Sequence, residues 1–304
     1  MMSEWQRTVD NEADRLDRWL HRHLPGYSLR QVRELILSGR ALVQGRPAKK
    51  GDRLRPGDRV QVLNLDPSSP GLRPDASVQL EAVFEDESLA VVDKPSGMPC
   101  HPLDPEETGT LMNHALARWP ELATVGTKPL ESGLIHRLDT KTSGLVLIAL
   151  TEPARKFLTQ ELKARRITKL YRAVVQGRVK EAFGEINLPL GHHPKDQRKM
   201  VAALTGQRLR GKPQEAITRF RVLERGRDRT ALELELITGV THQARVHLAG
   251  SGHPIIGDDL YGPHPDPASP RYLLHFWRME FAHPKKEKTI VIESPFHLNL
   301  KDLS

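Results

Sequence analysis

Gly133-Leu134-Ile135-His136-Arg137-Leu138-Asp139-Thr140-Lys141-Thr142-Ser143-Gly144 runs directly into Leu145-Val146-Leu147-Ile148-Ala149-Leu150. The second stretch is an unbroken apolar run, the pattern of a strand buried on both faces. The first is polar and closes on a Thr-Ser-Gly turn. A carboxylate, Asp139, therefore stands in a loop just ahead of a buried strand. A carboxylate so placed can act as a nucleophile, or it can simply cap the turn.

Working outward, strands and helices interleave. Leu89-Ala90-Val91-Val92-Asp93-Lys94 reads as a strand ending in a Pro95-Ser96-Gly97 turn. Residues 110–119 read as a helix, and 151–166 as another with Ala154, Leu158 and Leu162 four residues apart. Residues 169–176 read as a strand, and 230–236 alternate with Leu232, Leu234 and Leu236 on one face. Residues 242–250 read as a short helix and 290–292 as a late strand. No regular βαβ period, Gly-rich dinucleotide loop or internal repeat is present, so the expected fold class is α+β.

The composition shifts near residue 65. Asp66-Pro67-Ser68-Ser69-Pro70-Gly71-Leu72-Arg73-Pro74-Asp75-Ala76-Ser77 has three prolines and no apolar period, and residues 66–78 read as a linker. Before it, Leu16, Trp19 and Leu20 form one helical stripe. Ser28 is placed to cap a second helix carrying Val32, Leu35 and Ile36, ended by Gly39. Short strands at 41–44 and 59–63 follow. Residues 1–65 hold thirteen Lys and Arg against eight Asp and Glu, most of the chain's net charge of +8. That balance points to a polyanion, with nucleic acid first.

Several function classes fall away. A single cysteine, Cys100, makes no internal disulfide and no paired-cysteine metal site. The N-terminal stretch lacks the apolar core of a signal peptide, and 144–150 is far shorter than the roughly 20 residues that span a bilayer. A cytoplasmic protein is expected. Residues 206–212 fit the opening of a phosphate-binding P-loop, but Pro213 stands where Ser or Thr must reach magnesium. His192 and His193 are adjacent and lack a ligand-spaced partner, so a metal site is not expected.

Three stretches remain: the His136-Arg137-Leu138-Asp139 run; Lys169-Leu170-Tyr171-Arg172-Ala173; and Thr238-Gly239-Val240-Thr241-His242-Gln243-Ala244-Arg245-Val246-His247, with Gly252-His253-Pro254-Ile255-Ile256-Gly257-Asp258 behind it. In this order, with Leu274-His275 and Phe281-Ala282-His283-Pro284 closing, they resemble the RluA-type pseudouridine synthases from about residue 80 onward. Arg15-Leu16-Asp17, the second helix, Val43-Gln44-Gly45 and Gly57-Asp58-Arg59-Val60 resemble the small RNA-binding module of ribosomal protein S-four.

The resemblance implies a helix-rich RNA-binding module (10–65), the linker (66–78) and a catalytic domain (79–304). The catalytic domain is expected to hold a mixed, largely antiparallel sheet and a central cleft. It implies isomerisation of uridine to pseudouridine without a cofactor. Asp139 matches the family's nucleophile, Arg245 its guanidinium partner and Tyr171 the tyrosine that stacks on the base. Arg137 matches the arginine that fills the space left by a flipped base. His136, Leu138, Thr142, His242, Gln243 and Leu274 are further candidates for substrate contact, and Arg15, Arg30, Arg33 and Arg40 for RNA contact in the module. Each trio member also has a plain reading: a turn cap, a half-buried strand residue, a surface arginine on a helix.

One residue departs from the family pattern. Val240 stands where the family usually has arginine, and is expected to pack rather than face RNA. The expected partner is RNA, large-subunit ribosomal RNA first and transfer RNA second, with neither DNA nor a membrane; a monomer is expected. A non-catalytic RNA-binding assembly factor is the rival of another class.

Overall fold

The computed structural model describes residues 3–10, 14–24, 27, 29–49, 51–65, 71–126, 130–204, 208–262, 271–296 and 298. The N-terminal part contains β1 (Ser3–Thr8), α1 (Leu16–His23), α2 (Leu29–Leu37), β2 (Ala41–Val43), β3 (Arg46–Pro47) and β4 (Arg59–Leu65). The stripes of α1 and α2 bury Leu16, Trp19, Leu20, Val32, Leu35 and Ile36 in a core separate from the rest. Gly39 ends α2 with φ +70°. Its N–H donates to Ile36 and that of Arg40 to Leu35, the paired bonds that close a helix on a left-handed residue. The expected cap, Ser28, lies outside the described residues.

β1 was not legible in the sequence. It pairs with β4 and completes a sheet ordered β1-β4-β2-β3. The described half of the expected linker is not free chain. Leu72 is buried in the main core. The Asp75 N–H donates to the Asn113 carbonyl at 3.0 Å, and the Asp75 carboxylate accepts from Gly109. The apolar Leu72 and the turn-forming Asp75 outweigh the proline-rich composition.

The larger part runs through β5 (Ala82–Glu85), β6 (Leu89–Lys94), α3 (Leu111–Arg118), β7 (Ser143–Ala149), α4 (Glu152–Lys163), β8 (Thr168–Gln176), β9 (Phe183–Asn187), β10 (Leu190–His192), β11 (Met200–Ala202), β12 (Arg210–Gln214), β13 (Ile217–Arg225), β14 (Arg229–Leu236), α5 (Gln243–Gly250), β15 (Leu274–Ala282) and β16 (Thr289–Glu293). Thr110 and Asn113 form a capping box on α3, and Thr151 caps α4.

One sheet dominates, ordered β5-β6-β7-β15-β8-β14-β13-β9, with β16 paired to β15. Among the described residues only the β7–β15 contact is parallel. The seven residues of β7 are all buried, as its apolar run requires.

The late strand β15 inserts between β7 and β8. Phe276 lies opposite Gly144 on one side and opposite Tyr171 on the other. A Cβ at Gly144 would sit 2.4 Å from the Phe276 carbonyl oxygen, so only glycine admits this approach. The insertion brings the Asp139 loop, which leads into β7, to the same place as Tyr171 on β8. β14 flanks β8 on its other side and feeds α5, which carries Arg245.

A small second sheet, β11-β10-β12, absorbs two of the discarded motifs. The end of the P-loop look-alike, with Pro213, falls in β12, an exposed strand and not the start of a helix. His192 is exposed, and no cluster of metal-ligating side chains occurs among the described residues. No helix among them is long and apolar enough to cross a membrane.

Candidate active site

The Asp139 loop is fastened from beneath. Lys94, fully buried, donates to the carbonyls of Pro95, Met98 and Thr140 at 2.9, 2.8 and 3.2 Å. Burial pushes its pKa down to about 8, against the pull of Cys100, Asp139 and Asp93. Gly97 N–H donates to the Thr140 carbonyl and Ser96 Oγ to that of Lys141. The Cys100 thiol bonds both backbone groups of Leu138, and burial raises its pKa. It is a structural thiol, lacking the exposure and thiolate character of a reactive one.

Arg245 is 3% exposed and uses its whole guanidinium. Nε and Nη2 grip the two Asp258 oxygens at 2.7 and 2.9 Å, and Nη1 donates to Asp139 Oδ2 at 2.7 Å. Nη2 also donates to the Tyr272 hydroxyl at 3.0 Å. The rings of Tyr272 and Tyr261 lie 4.3 and 5.0 Å from its central carbon. Burial works against the charge, yet Asp258 and Asp139 raise its pKa above the ordinary arginine range. The Asp139 side chain keeps 27% exposure. Its Oδ2 is committed to Arg245, and no described donor hydrogen-bonds to Oδ1.

Tyr171 lies flat on Phe276, centroids 4.5 Å apart and planes 12° apart. Burial, helped by the charge of Asp139, raises the pKa of its hydroxyl, so it stays protonated. His136 meets the same Phe276 edge-on at 5.5 Å and accepts the Leu147 N–H at 3.2 Å. Burial and then the charge of Lys169 push its pKa down to about 3, so the ring is neutral.

His242 stands at the N-cap of α5 with φ +58°. Its Nε2 is 3.8 Å from Asp139 Oδ2, and its Nδ1 is 2.8 Å from the Tyr261 hydroxyl. That hydroxyl also accepts the Met200 N–H, so it joins His242 to the start of β11. Burial first, and Arg245 among its neighbours, lowers the His242 pKa although Asp139 pulls it up.

Gln243 is fully engaged inside the protein. Its oxygen accepts from Thr238 Oγ1 and Val240 N–H, and its nitrogen donates to Ile217 O and Thr218 Oγ1. This amide latches the third motif to β13, leaving it nothing to offer a substrate. Leu274 is buried at the start of β15, and Leu138 is buried beneath the loop. Thr142 is buried with no described partner for its hydroxyl, while Arg137 is exposed beside Asp139 in sequence. Val240 packs, as expected, against the cluster of Leu190, Met200, Ala216 and Val246.

In the N-terminal module, Arg15 and Arg33 both donate to the buried Asp17 carboxylate, at 3.1 and 3.3 Å. Although burial pushes the other way, these bonds hold the Asp17 carboxyl below its usual range. Arg40 donates to the carbonyls of Leu63 and Asn64. These three arginines thus brace the module, with Arg15 and Arg33 still partly exposed. The Arg30 side chain lies outside the described residues.

Asp258, Tyr261, Tyr272, Phe276 and Lys94 carry the site without having been singled out from sequence. Only the fold shows that three of the chain's four tyrosines, Tyr171, Tyr261 and Tyr272, gather around one Asp–Arg pair.

A carboxylate steadied on one oxygen and free on the other, next to a flat aromatic surface, suits covalent attack on a substrate with a stackable ring. Reworking a nucleobase or its glycosidic bond is one chemistry of that kind. Comparison with known proteins agrees. Residues 88–250 match the RNA pseudouridylate synthase family, and residues 14–60 match the S-four domain. The chain is 36% identical over 294 residues to ribosomal large subunit pseudouridine synthase D of Neisseria meningitidis, covering 92% of this chain and 75% of that one. It is 33% identical over 297 residues to an uncharacterised RNA pseudouridine synthase of Aquifex aeolicus, covering 94% and 91%. Among solved structures, human RNA pseudouridylate synthase domain containing 1 superposes with a TM-score of 0.57 at 26% identity, covering 76% of this chain and 86% of that one. The chain belongs to the RNA pseudouridylate synthase family and is an isomerase acting on RNA.

Proposed function

We propose that this enzyme converts uridines of large-subunit ribosomal RNA to pseudouridine, with Asp139 as the nucleophile. The observation carrying the residue assignment is the 2.7 Å bond from Arg245 to Asp139 Oδ2, which leaves Oδ1 for the reaction. The flipped uracil stacks on the Tyr171 face, a contact worth roughly 1–3 kcal/mol. Arg137 fills the place vacated in the RNA, its flat guanidinium stacking and hydrogen-bonding together. Breaking the N1–C1′ bond leaves the electron pair on uracil. The base turns, C5 bonds to C1′, the C5 proton leaves and N1 gains one. No atom or electron is gained overall, so the reaction itself calls for no redox cofactor.

The choice of ribosomal RNA is supported by the name of the Neisseria relative and by the basic N-terminal module. Phosphate contacts from that module would weaken with salt. On the same reading the protein acts in the cytoplasm as a monomer. Transfer RNA is the competing substrate. Unmodified ribosomal and transfer RNA transcripts labelled with tritium at uridine C5 decide between them, since C5–C1′ bond formation releases the label. Release from the ribosomal transcript alone is expected; release from transfer RNA alone would overturn the substrate assignment.

A further inference from the structure

Lys169 precedes Tyr171 by two residues on β8, and both side chains lie on the buried face of that strand. Residues so spaced sit about 7 Å apart along a strand. The Lys169 ammonium donates to the Thr238 carbonyl at 3.1 Å, and no second acceptor and no carboxylate partner is found for it among the described residues. An ammonium has three donors. A cation this buried, 9% exposed, ordinarily has a counter-charge. The groups facing it supply none: Arg165 from the turn after α4 is positive, His136 from the Asp139 loop is neutral, and the third motif offers a backbone carbonyl. Across the ladder stands Met279 of β15.

We propose that Lys169 is a catalytic residue that donates its free N–H groups to a uracil carbonyl oxygen and stabilises the negative charge developing there. The inference rests on the uridine isomerisation described above. If Asp139 attacks the sugar, the N1–C1′ electron pair leaves onto uracil and spreads to its carbonyl oxygens. If Asp139 adds to C6, the ring electrons move onto the C4 oxygen. Both routes load an oxygen of the base held by Tyr171, beside an ammonium with donors to spare. Donors already aimed at a developing oxyanion cost no reorganisation when the charge appears. Burial, with Arg165 adding to it, pushes the lysine down to about 8, so its charge and the rate should be lost together above that pH.

The test compares wild type, Lys169→Met and Lys169→Arg in single-turnover reactions on matched RNAs carrying uridine, 2-thiouridine or 4-thiouridine at the target. Each keeps the C5 proton that must leave, so the rearranged nucleosides can be separated after digestion. Sulfur accepts a hydrogen bond far more weakly than oxygen. Lys169→Met is expected to slow the uridine reaction by about 100-fold, as loss of an oxyanion donor does. RNA affinity should change less than about threefold, and the thio substrate whose sulfur replaces the oxygen met by Lys169 should lose clearly less rate than uridine. Equal losses on all three substrates, or no loss, would overturn the role. If Lys169→Met does not fold, Lys169→Arg, which keeps the charge but displaces the donors, goes through the same comparison: a smaller loss on one thio substrate than on uridine is expected, and equal losses on all three would overturn the role. Wild type inactive on every RNA would defeat the isomerase reading itself, a result distinct from an active wild type matched by an active Lys169→Met.

Discussion

Asp258 holds Arg245 through both carboxylate oxygens, at 2.9 and 2.7 Å, and so aims the remaining arm of the guanidinium at Asp139. Asp258 is itself fixed by the backbone N–H groups of Leu260 and Tyr261 at 3.0 and 3.1 Å. The nucleophile candidate is therefore positioned by a residue that never touches it.

Asp258→Asn breaks one side of a buried pair. Such losses cost about 3–5 kcal/mol of stability, because an uncompensated charge stays behind. Asp139 limits this by still pairing with Arg245, so the lower end is expected. The activity cost comes from a misaimed guanidinium, about 100-fold in turnover. Denaturant unfolding beside single-turnover kinetics checks both. Unchanged turnover would show that Asp139 does not depend on the Asp258 grip.

His136 sets an acid limit on stability. Its pKa is about 3 in the fold against an ordinary value of about 6.5. Between these values the unfolded chain binds more protons than the folded one. Unfolding free energy therefore rises with pH in that window, and stability is lost as pH falls from 6.5 toward 3. The slope due to one such group reaches about 1.4 kcal/mol per pH unit. Gln at this position still accepts the Leu147 N–H and does not titrate. Unfolding curves at several pH values should show a shallower acid decline for His136→Gln; identical slopes would contradict a His136 held neutral in the fold.

Gly144→Ala places a Cβ 2.4 and 2.5 Å from the backbone oxygen and nitrogen of Phe276, at a residue whose φ is +121°. Overpacking and a left-handed backbone each cost about 1–3 kcal/mol. A loss of about 3 kcal/mol or more is expected by chemical denaturation. Activity should suffer too, since the strand that moves carries the ring under Tyr171. A variant as stable as wild type would mean that β7 and β15 do not approach so closely.

What could be seen in the sequence was local. The apolar run into Leu150, the stripes of Leu16, Trp19 and Leu20, and the alternation of Leu232, Leu234 and Leu236 each report a periodicity that one element imposes on itself. Asp139, Tyr171 and Arg245 were visible because three short motifs carry them in order. The insertion of β15 between β7 and β8 was not visible. It pairs Phe276 with residues more than a hundred positions earlier, and Gly144 betrays it only once the approach is known. Asp258 was quoted with its neighbours, yet nothing local says that it faces Arg245. Gln243 was read as a substrate contact because it lies beside His242 in the third motif of the family resemblance. Two of its four internal bonds go to β13, whose passage alongside no local pattern encodes. The arginines of the module were read as an RNA face, while Asp17 and the end of β4 claim three of them.

The most direct test of the catalytic assignment is tritium release from C5-labelled ribosomal RNA by Asp139→Asn, measured beside its affinity for the same RNA. Turnover should fall by roughly three orders of magnitude or more, as when a nucleophile is removed, while the dissociation constant stays within about threefold of wild type because the module and the Tyr171 stack remain. Release at the wild-type rate from Asp139→Asn would contradict Asp139 as the nucleophile.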